Sequence, residues 1–219
     1  MSPISADRIL YCDDHLLAVA KRSGELTVRG KGALGKLPLF DLLKKDYPGL
    51  RVLHRLDFET SGVVLFARTK KAYEGIRAVK TGDWRKTYHA LIEGCPARLT
   101  GTIRTPLPAR GQGLVPAQTR YRILERFALC SYVEAVIETG RHHQIRRHFA
   151  EIGHPLLLDR EYGNARANAQ FSRESGYNKF FLHAFVIDLL HPVTGKKLHI
   201  EAPLPRAFTE VLKRLRDRR

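Results

Sequence analysis

The first candidate for chemistry is an aspartate in a basic, turn-rich loop. Asp57 lies in the segment HRLDFETSG, residues 54–62, and the apolar run VVLFA, residues 63–67, follows it directly. Such a run predicts a buried strand. The strand would hold the carboxylate in place, and the neighbouring His54 and Arg55 would keep it ionised. Asp57 is therefore a candidate nucleophile, although an aspartate that only accepts backbone hydrogen bonds in a turn would have the same sequence signature.

A second segment, TGRHHQIRRH at residues 139–148, contains an arginine that could serve such a carboxylate. A helix that begins near His142 would bury Ile145 in the core. Arg146 lies about 100° round the helix from Ile145, so its long side chain can carry the guanidinium from the edge of the buried face into a cleft. Arg147 lies about 200° round and is predicted to face solvent. The alternative interpretation of Arg146 is a surface contact with a phosphate.

The two segments together resemble the RluA-like family of pseudouridine synthases, which carry an H-R-L-D-x-x-T-S-G loop and a G-R-x-H-Q-I-R helix start. Further motifs agree with the family: a hairpin from Ile9 to Lys21, the K-x-Y strand at residues 86–88, the A-x-T-x-Y strand at residues 117–121, and His183 with His191-Pro192. The resemblance covers about residues 9–203. The chain departs from the family where Leu158 precedes Asp159, since relatives usually have a glycine there.

The resemblance implies an isomerase that detaches uracil from C1′ of a uridine in RNA, rotates it and rejoins it through C5, with no cofactor and no metal. It implies that Asp57 is the catalytic carboxylate, that Arg146 pairs with it, and that Tyr88 stacks on the target base. The role of Asp57 stays open between attack on the sugar, attack on the base and removal of a sugar proton. Tyr88 has an alternative interpretation as a core residue of a strand that also buries Ala90 and Ile92.

Three further residues are candidates for RNA binding. Arg55 matches an arginine that occupies the space left by a flipped nucleotide, and His54 adjoins it. Arg141 is expected to contact phosphate or to support the loop that carries Asp57. The cluster His142, His143 and His148 lacks the spacing of metal ligands with a nearby Cys or carboxylate, so no metal site is predicted.

Charge indicates the class of partner. The chain of 219 residues has 38 Lys and Arg against 22 Asp and Glu, a net charge of +16, and a sequence pI of about 10.1. Such an excess is typical of proteins that meet a nucleic-acid backbone. No segment combines a wide apolar face with a lysine-rich face, and no apolar run has the length of a membrane span, so a membrane partner is not expected. A catalytically silent basic RNA-binding module is the alternative function.

The expected fold is α+β. It is a single pseudouridine synthase catalytic domain over residues 1–219, with a mostly antiparallel central sheet flanked by helices and a catalytic cleft. A basic helix is predicted over about residues 206–219, a hairpin or irregular insertion over 101–116, and a polar loop over 164–179. No separate N-terminal RNA-binding module is expected. The three distant cysteines, Cys12, Cys95 and Cys130, indicate a reduced, cytoplasmic protein. We expect a monomer that acts on a ribosomal or transfer RNA stem-loop.

Overall fold

The computed structural model describes residues 4–30, 37–78, 84–109 and 111–218. The chain forms two compact units, one of Met1–Lys86 with Ala184–Pro203 and one of Thr87–His183 with Leu204–Arg219. In chain order the elements are a 3-10 turn (Ala6–Arg8), β1 (Ile9–Cys12), β2 (Leu16–Lys21), α1 (Leu39–Leu43), β3 (Arg51–Val52), β4 (Ser61–Ala67), α2 (Lys70–Ala78), β5 (Trp84–Glu93), β6 (Thr100–Ile103), β7 (Leu107–Pro108), β8 (Leu114–Val115), β9 (Thr119–Arg126), β10 (Cys130–Ile137), α3 (Gln144–Glu151), α4 (Ala165–Ser175), β11 (Leu182–Leu190), β12 (Lys197–Glu201) and α5 (Arg206–Arg216).

The first unit is built round β4, the apolar strand that follows Asp57. All seven residues of β4 are buried, which confirms the prediction of a buried strand at residues 63–67. β4 pairs antiparallel with both β2 and β3, β1 pairs antiparallel with β2, and β11 pairs antiparallel with β12. Helix α2 begins after Thr69, whose Oγ1 accepts a hydrogen bond from the Ala72 N–H at 3.2 Å. This cap fits the preference for threonine before the first turn.

The second unit contains the strand order β5-β10-β9-β6, with β10–β9 and β6–β9 antiparallel. Residues 86–92 of β5 are all buried, so both faces of this strand are covered. The segment 101–116 includes a short antiparallel hairpin, β7 with β8. Helix α5 buries Phe208, Val211 and Leu212. The α+β class and the mostly antiparallel sheet are confirmed, whereas the single domain stays a prediction.

One element differs from the sequence prediction. Residues 164–179 were expected to form a polar loop, but Ala165–Ser175 is the helix α4. The Asn164 side chain accepts hydrogen bonds from the N–H groups of Arg166 and Ala167, and Gly176 ends the helix in the left-handed conformation at φ 77°. Asn before a helix and Gly after it are ordinary boundary signals. The polar composition of this segment favoured a loop in spite of these signals.

No helix among the described residues has both the length and the apolar composition that crossing a membrane requires.

Gly62 marks a close approach of two backbones beside the Asp57 loop. Its φ is +114°, a conformation that side chains of L-residues rarely adopt, and a Cβ atom built on it would overlap the backbone of Ala184. Only glycine therefore allows β4 to begin where it does.

Replacing Gly62 with alanine is expected to destabilise the protein by on the order of 3 kcal/mol, because backbone strain and steric overlap add. Urea unfolding of the purified variant measures this loss. Gly30→Ala is the matched control, since nothing lies within 4 Å of a Cβ built at Gly30. We expect that control to change stability by less than about 1 kcal/mol. Equal stability of the two variants would contradict the close approach at Gly62.

Candidate active site

Asp57 lies in the loop between β3 and β4 and is half-buried. Its backbone carbonyl accepts a hydrogen bond from the Thr60 N–H at 3.2 Å, which closes a turn directly before the strand. Asp57 therefore lies in a turn whose hydrogen bond involves its backbone.

Two buried side chains hold the Asp57 loop in place. Lys21, 2% exposed, donates from Nζ to the carbonyls of Phe58 at 3.1 Å and Thr60 at 2.7 Å. Thr27 Oγ1 accepts from the Leu56 N–H at 3.2 Å. The residues on both sides of Asp57 are therefore anchored to the protein interior. The sequence marked Lys21 only as the end of a hairpin, and its role as an anchor becomes visible only in the folded chain.

His54 is neutral, so the expectation that it adds positive charge beside Asp57 is wrong. Its Nε2 accepts a hydrogen bond from the Leu65 N–H at 3.0 Å, and its ring packs edge-on against Trp84 at a centroid distance of 5.3 Å. Burial, reinforced by the charge of Lys86, lowers the pKa of His54 to about 3. An accepting nitrogen has no proton to donate, which agrees with the neutral form. Arg55, by contrast, is exposed.

Tyr88 lies on β5 in the second unit and is 7% exposed. Its neighbours along the strand are buried on both faces, so a role in the core agrees with its position. Burial does not distinguish this role from stacking on a base, because a base that enters a pocket would cover the same ring. The stacking role therefore stays a prediction.

Arg146, on α3, is 6% exposed, so the interpretation as a surface phosphate contact is wrong. Its Nε donates to Asp159 Oδ2 at 2.6 Å and its Nη2 to Asp159 Oδ1 at 2.8 Å. Nη2 also donates to Glu161 Oε2 at 3.2 Å. The guanidinium carbon lies 4.9 Å from the ring centroid of Tyr162 and 4.8 Å from that of Phe180. The two-pronged contact with Asp159 and the two ring faces together set the plane of the guanidinium.

Asp159 is fully buried and pairs with Arg146 as a carboxylate. Burial by itself would raise its pKa, but hydrogen bonds and charge from Arg146 outweigh burial, so the pKa of Asp159 lies below its ordinary value. The N–H groups of Glu161 and Tyr162 donate to Oδ1 as well. The preceding Leu158 has φ 67°, the left-handed conformation that favours the glycine usual in the family.

Arg147 departs from the solvent exposure predicted for it, whereas Arg141 is exposed. Arg147 is half-buried, and its Nε donates to the Tyr162 hydroxyl at 2.9 Å. The Arg141 side chain is exposed, while its backbone N–H donates to Gln144 Oε1 at 3.1 Å. Gln144 is 3% exposed and donates from Nε2 to the Gln118 carbonyl at 2.8 Å. Gln144 thus positions the turn before α3, a role that the motif alone did not indicate.

The histidines near α3 have structural partners. His148 is fully buried between Thr119 Oγ1, at 2.8 Å, and the Thr105 carbonyl, at 2.9 Å. His143 adopts a left-handed conformation at φ 53° and contacts the Tyr162 hydroxyl at 3.1 Å. Across residues 4–30, 37–78, 84–109 and 111–218, no group of three or more His, Cys, Asp or Glu side chains is arranged to hold a metal ion.

The predicted site residues divide between the two units. Three of them, Asp57, His54 and Arg55, belong to the first unit, and the other three belong to the second. The structure therefore shows how each group is held within its own unit. The pairing of Asp57 with Arg146 stays a prediction.

Comparison with known proteins identifies the family. Residues 15–151 match the family model described as RNA pseudouridylate synthase. The chain is 34% identical over 228 residues to Ribosomal large subunit pseudouridine synthase C of Escherichia coli K12, covering 98% of this chain and 72% of that protein. It is 35% identical over 219 residues to the protein of the same name from Vibrio cholerae, covering 95% and 69%. The chain belongs to the RNA pseudouridylate synthase family and is an isomerase that acts on RNA.

Solved structures agree. The fold matches Human RNA Pseudouridylate Synthase Domain Containing 4 with a TM-score of 0.80 and 25% identity, covering 96% of this chain and 93% of that one. It matches Human RNA Pseudouridylate Synthase Domain Containing 1 with a TM-score of 0.72 and 25% identity, covering 99% and 98%. The family predicted from the sequence motifs is therefore confirmed.

Replacing Asp159 with alanine is expected to destabilise the protein by about 3–5 kcal/mol, because the Arg146 guanidinium would stay buried without its carboxylate. Glu161→Gln is the matched control. The Glu161 side chain contacts the same guanidinium but is 51% exposed, so its loss should cost less than about 1 kcal/mol. Chemical denaturation of both variants tests the difference. Similar small losses in the two would show that Asp159 does not balance the buried charge.

Proposed function

We propose that this protein converts uridine to pseudouridine in large-subunit ribosomal RNA, with Asp57 as the catalytic carboxylate. The substrate is supported by the Escherichia coli and Vibrio cholerae relatives, whose names specify the ribosomal large subunit. The net charge of +16 suits a polyanionic substrate of this kind. The observation that carries the assignment of Asp57 is its loop, which buried Lys21 and Thr27 anchor on either side of the carboxylate.

The reaction needs a carboxylate held at the junction of sugar and base. The bond from C1′ to N1 breaks, the base turns, a bond from C1′ to C5 forms, and the C5 proton is replaced by one on the released nitrogen. Atoms and electrons balance within the uridine, so no oxidant, reductant or cofactor is required. Asp57 can attack the sugar, attack the base or remove a sugar proton, and each of these roles requires an ionised, positioned carboxylate.

Arg146 is proposed as the cation that keeps Asp57 ionised. Asp159 fixes two nitrogens of its guanidinium, and the rings of Tyr162 and Phe180 flank its plane. A guanidinium fixed in this way holds its charge in a defined orientation. Tyr88 is proposed to stack on the target base, a contact that contributes roughly 1–3 kcal/mol.

Arg55 and Arg141 are proposed RNA contacts, and both are exposed. Arg55 would fill the position that the flipped nucleotide leaves, while Arg141 would meet a phosphate beside α3. His54 is proposed to adjoin the RNA as a neutral ring. We further propose that the protein works as a monomer in the cytoplasm, as one catalytic domain.

Replacing Asp57 with asparagine or alanine is expected to abolish pseudouridine formation, because the amide or methyl group cannot replace a carboxylate in any of the three roles. RNA affinity should persist, since many Lys and Arg residues contribute to it. Glu59→Gln, in the same loop, is the control and should retain activity. Carbodiimide mapping of total RNA from cells with and without the protein identifies the modified uridine. Pseudouridine made by purified Asp57→Ala protein would contradict the assignment of Asp57 as the catalytic carboxylate. A modified uridine found only in transfer RNA would show that transfer RNA, and not ribosomal RNA, is the substrate.

Replacing Arg55 with alanine separates extraction of the base from the chemistry. If Arg55 fills the vacated stack, its loss should reduce the single-turnover rate strongly on a structured stem-loop and weakly on a destabilised one, because less stacking must be broken there. Asp57→Ala should be inactive on both substrates. A loss that is equal on the two RNAs and sensitive to salt would instead assign Arg55 to a phosphate contact.

A further inference from the structure

Lys86 is a buried cation for which the described residues provide no counter-charge. It ends the first of the two segments that form the first unit, and it is 7% exposed. Within the described parts of the chain its ammonium forms neither a hydrogen bond nor an ion pair. It lies over the ring of Trp84 instead, with Nζ 4.4 Å from the ring centroid. A cation–π contact offsets only part of the free energy needed to remove a full charge from water.

The contrast with Lys21 shows how the same unit treats a structural lysine. The Lys21 ammonium donates to three backbone carbonyls, those of Arg22, Phe58 and Thr60. Its hydrogen-bonding capacity is therefore met by the protein. The part of the chain that the structure describes offers Lys86 no such set of acceptors, so a purely structural role does not explain why a lysine occupies this position.

The surroundings of Lys86 do not compensate its charge. His54, near enough for the two charges to interact, is held neutral by burial and by its contact with the Leu65 N–H. Burial also lowers the pKa of Lys86 to about 8. A cation in such a position gains most from a ligand that carries a negative charge.

The ammonium is nevertheless reachable. Among the described residues, the fully enclosed polar side-chain atoms without a partner are Thr60 Oγ1 and Trp84 Nε1. Lys86 Nζ is not one of them, so the nitrogen still touches solvent although the side chain is almost fully covered.

We propose that the Lys86 ammonium binds a phosphate oxygen of the substrate RNA, beside the neutral ring of His54. The proposal rests on the proposed function, in which the ligand is RNA. The RNA bears its negative charge on its phosphates, and a phosphate contact fixes the register of the strand without reading its sequence. His54 is three residues from Asp57, so the contact would position the RNA near the catalytic loop. The competing acceptor is a carbonyl oxygen of the base.

Removing the ammonium should weaken binding in a salt-dependent way. For Lys86→Met we expect a roughly tenfold higher dissociation constant for a fluorescent RNA stem-loop and a salt slope smaller by about 0.7–0.9. The loss should appear in the half-saturating RNA concentration and not in the saturating single-turnover rate. Lys86→Arg should retain the salt slope. Lys197→Met, which removes an exposed lysine from β12, is the matched control and should change the dissociation constant less than about twofold.

A double-mutant cycle locates the contact. Methylphosphonate groups, which are uncharged, replace the phosphates of the RNA one at a time. At one linkage the wild-type protein should lose about tenfold in affinity while Lys86→Met loses nothing further. Additive losses at every linkage would overturn the proposal. So would a fall in the saturating rate with unchanged affinity, which indicates contact with the reacting base.

A measurement on the wild-type protein covers the case in which Lys86→Met fails to fold. NMR titration of the lysine ammonium groups should show that bound RNA raises the pKa of Lys86 above its value of about 8 in the free protein. An unchanged pKa would overturn the proposal. Neither binding nor NMR requires turnover, so an RNA that is bound but never converted would refute the proposed function and leave this inference standing.

Discussion

The structure depends on charged groups that are taken out of water and must be balanced inside. Lys21, Arg146 and Asp159 are all nearly or fully buried. Removing such ions from water costs several kcal/mol each, so the surrounding chain must supply partners with good geometry. The Lys21 ammonium donates hydrogen bonds to two carbonyls of the Asp57 loop, and the Asp159 carboxylate accepts two hydrogen bonds from Arg146. In each unit a buried charge therefore holds a segment that the proposed chemistry uses.

Charge near the Asp57 loop is arranged differently from what residue types suggest. Histidine next to arginine indicates a cluster of cations, yet the imidazole of His54 is neutral and acts as an acceptor for the Leu65 N–H. Positive charge in this part of the first unit then includes Arg55, which is exposed, and Lys21 and Lys86, which are buried. A neutral His54 also spares Lys86 the repulsion of a second cation.

Leu158 occupies a position where the family usually has glycine, and the structure shows how the chain accommodates the leucine. A leucine with φ 67° is disfavoured by about 1–2 kcal/mol relative to the ordinary helical conformation. Its side chain is 3% exposed, and burial of a leucine contributes about 2 kcal/mol. Its N–H also donates to Asn168 Oδ1 at 2.7 Å. The cost of the left-handed conformation and the gain from burying the side chain are of similar size. The backbone therefore keeps the conformation that presents Asp159 to Arg146 without the usual glycine.

The sequence by itself determined the family, the α+β class and the buried strand after Asp57. These features depend on motifs and on periodicity over a few residues, which are read without the fold. Only the tertiary structure decided the neutral state of His54, the partners of Arg146 and the anchoring of the loop by Lys21. Those contacts join residues far apart along the chain, 39 positions for Lys21 with Thr60 and 13 for Arg146 with Asp159. Burial and pairing set the charge of a side chain, and both arise only when distant segments pack together.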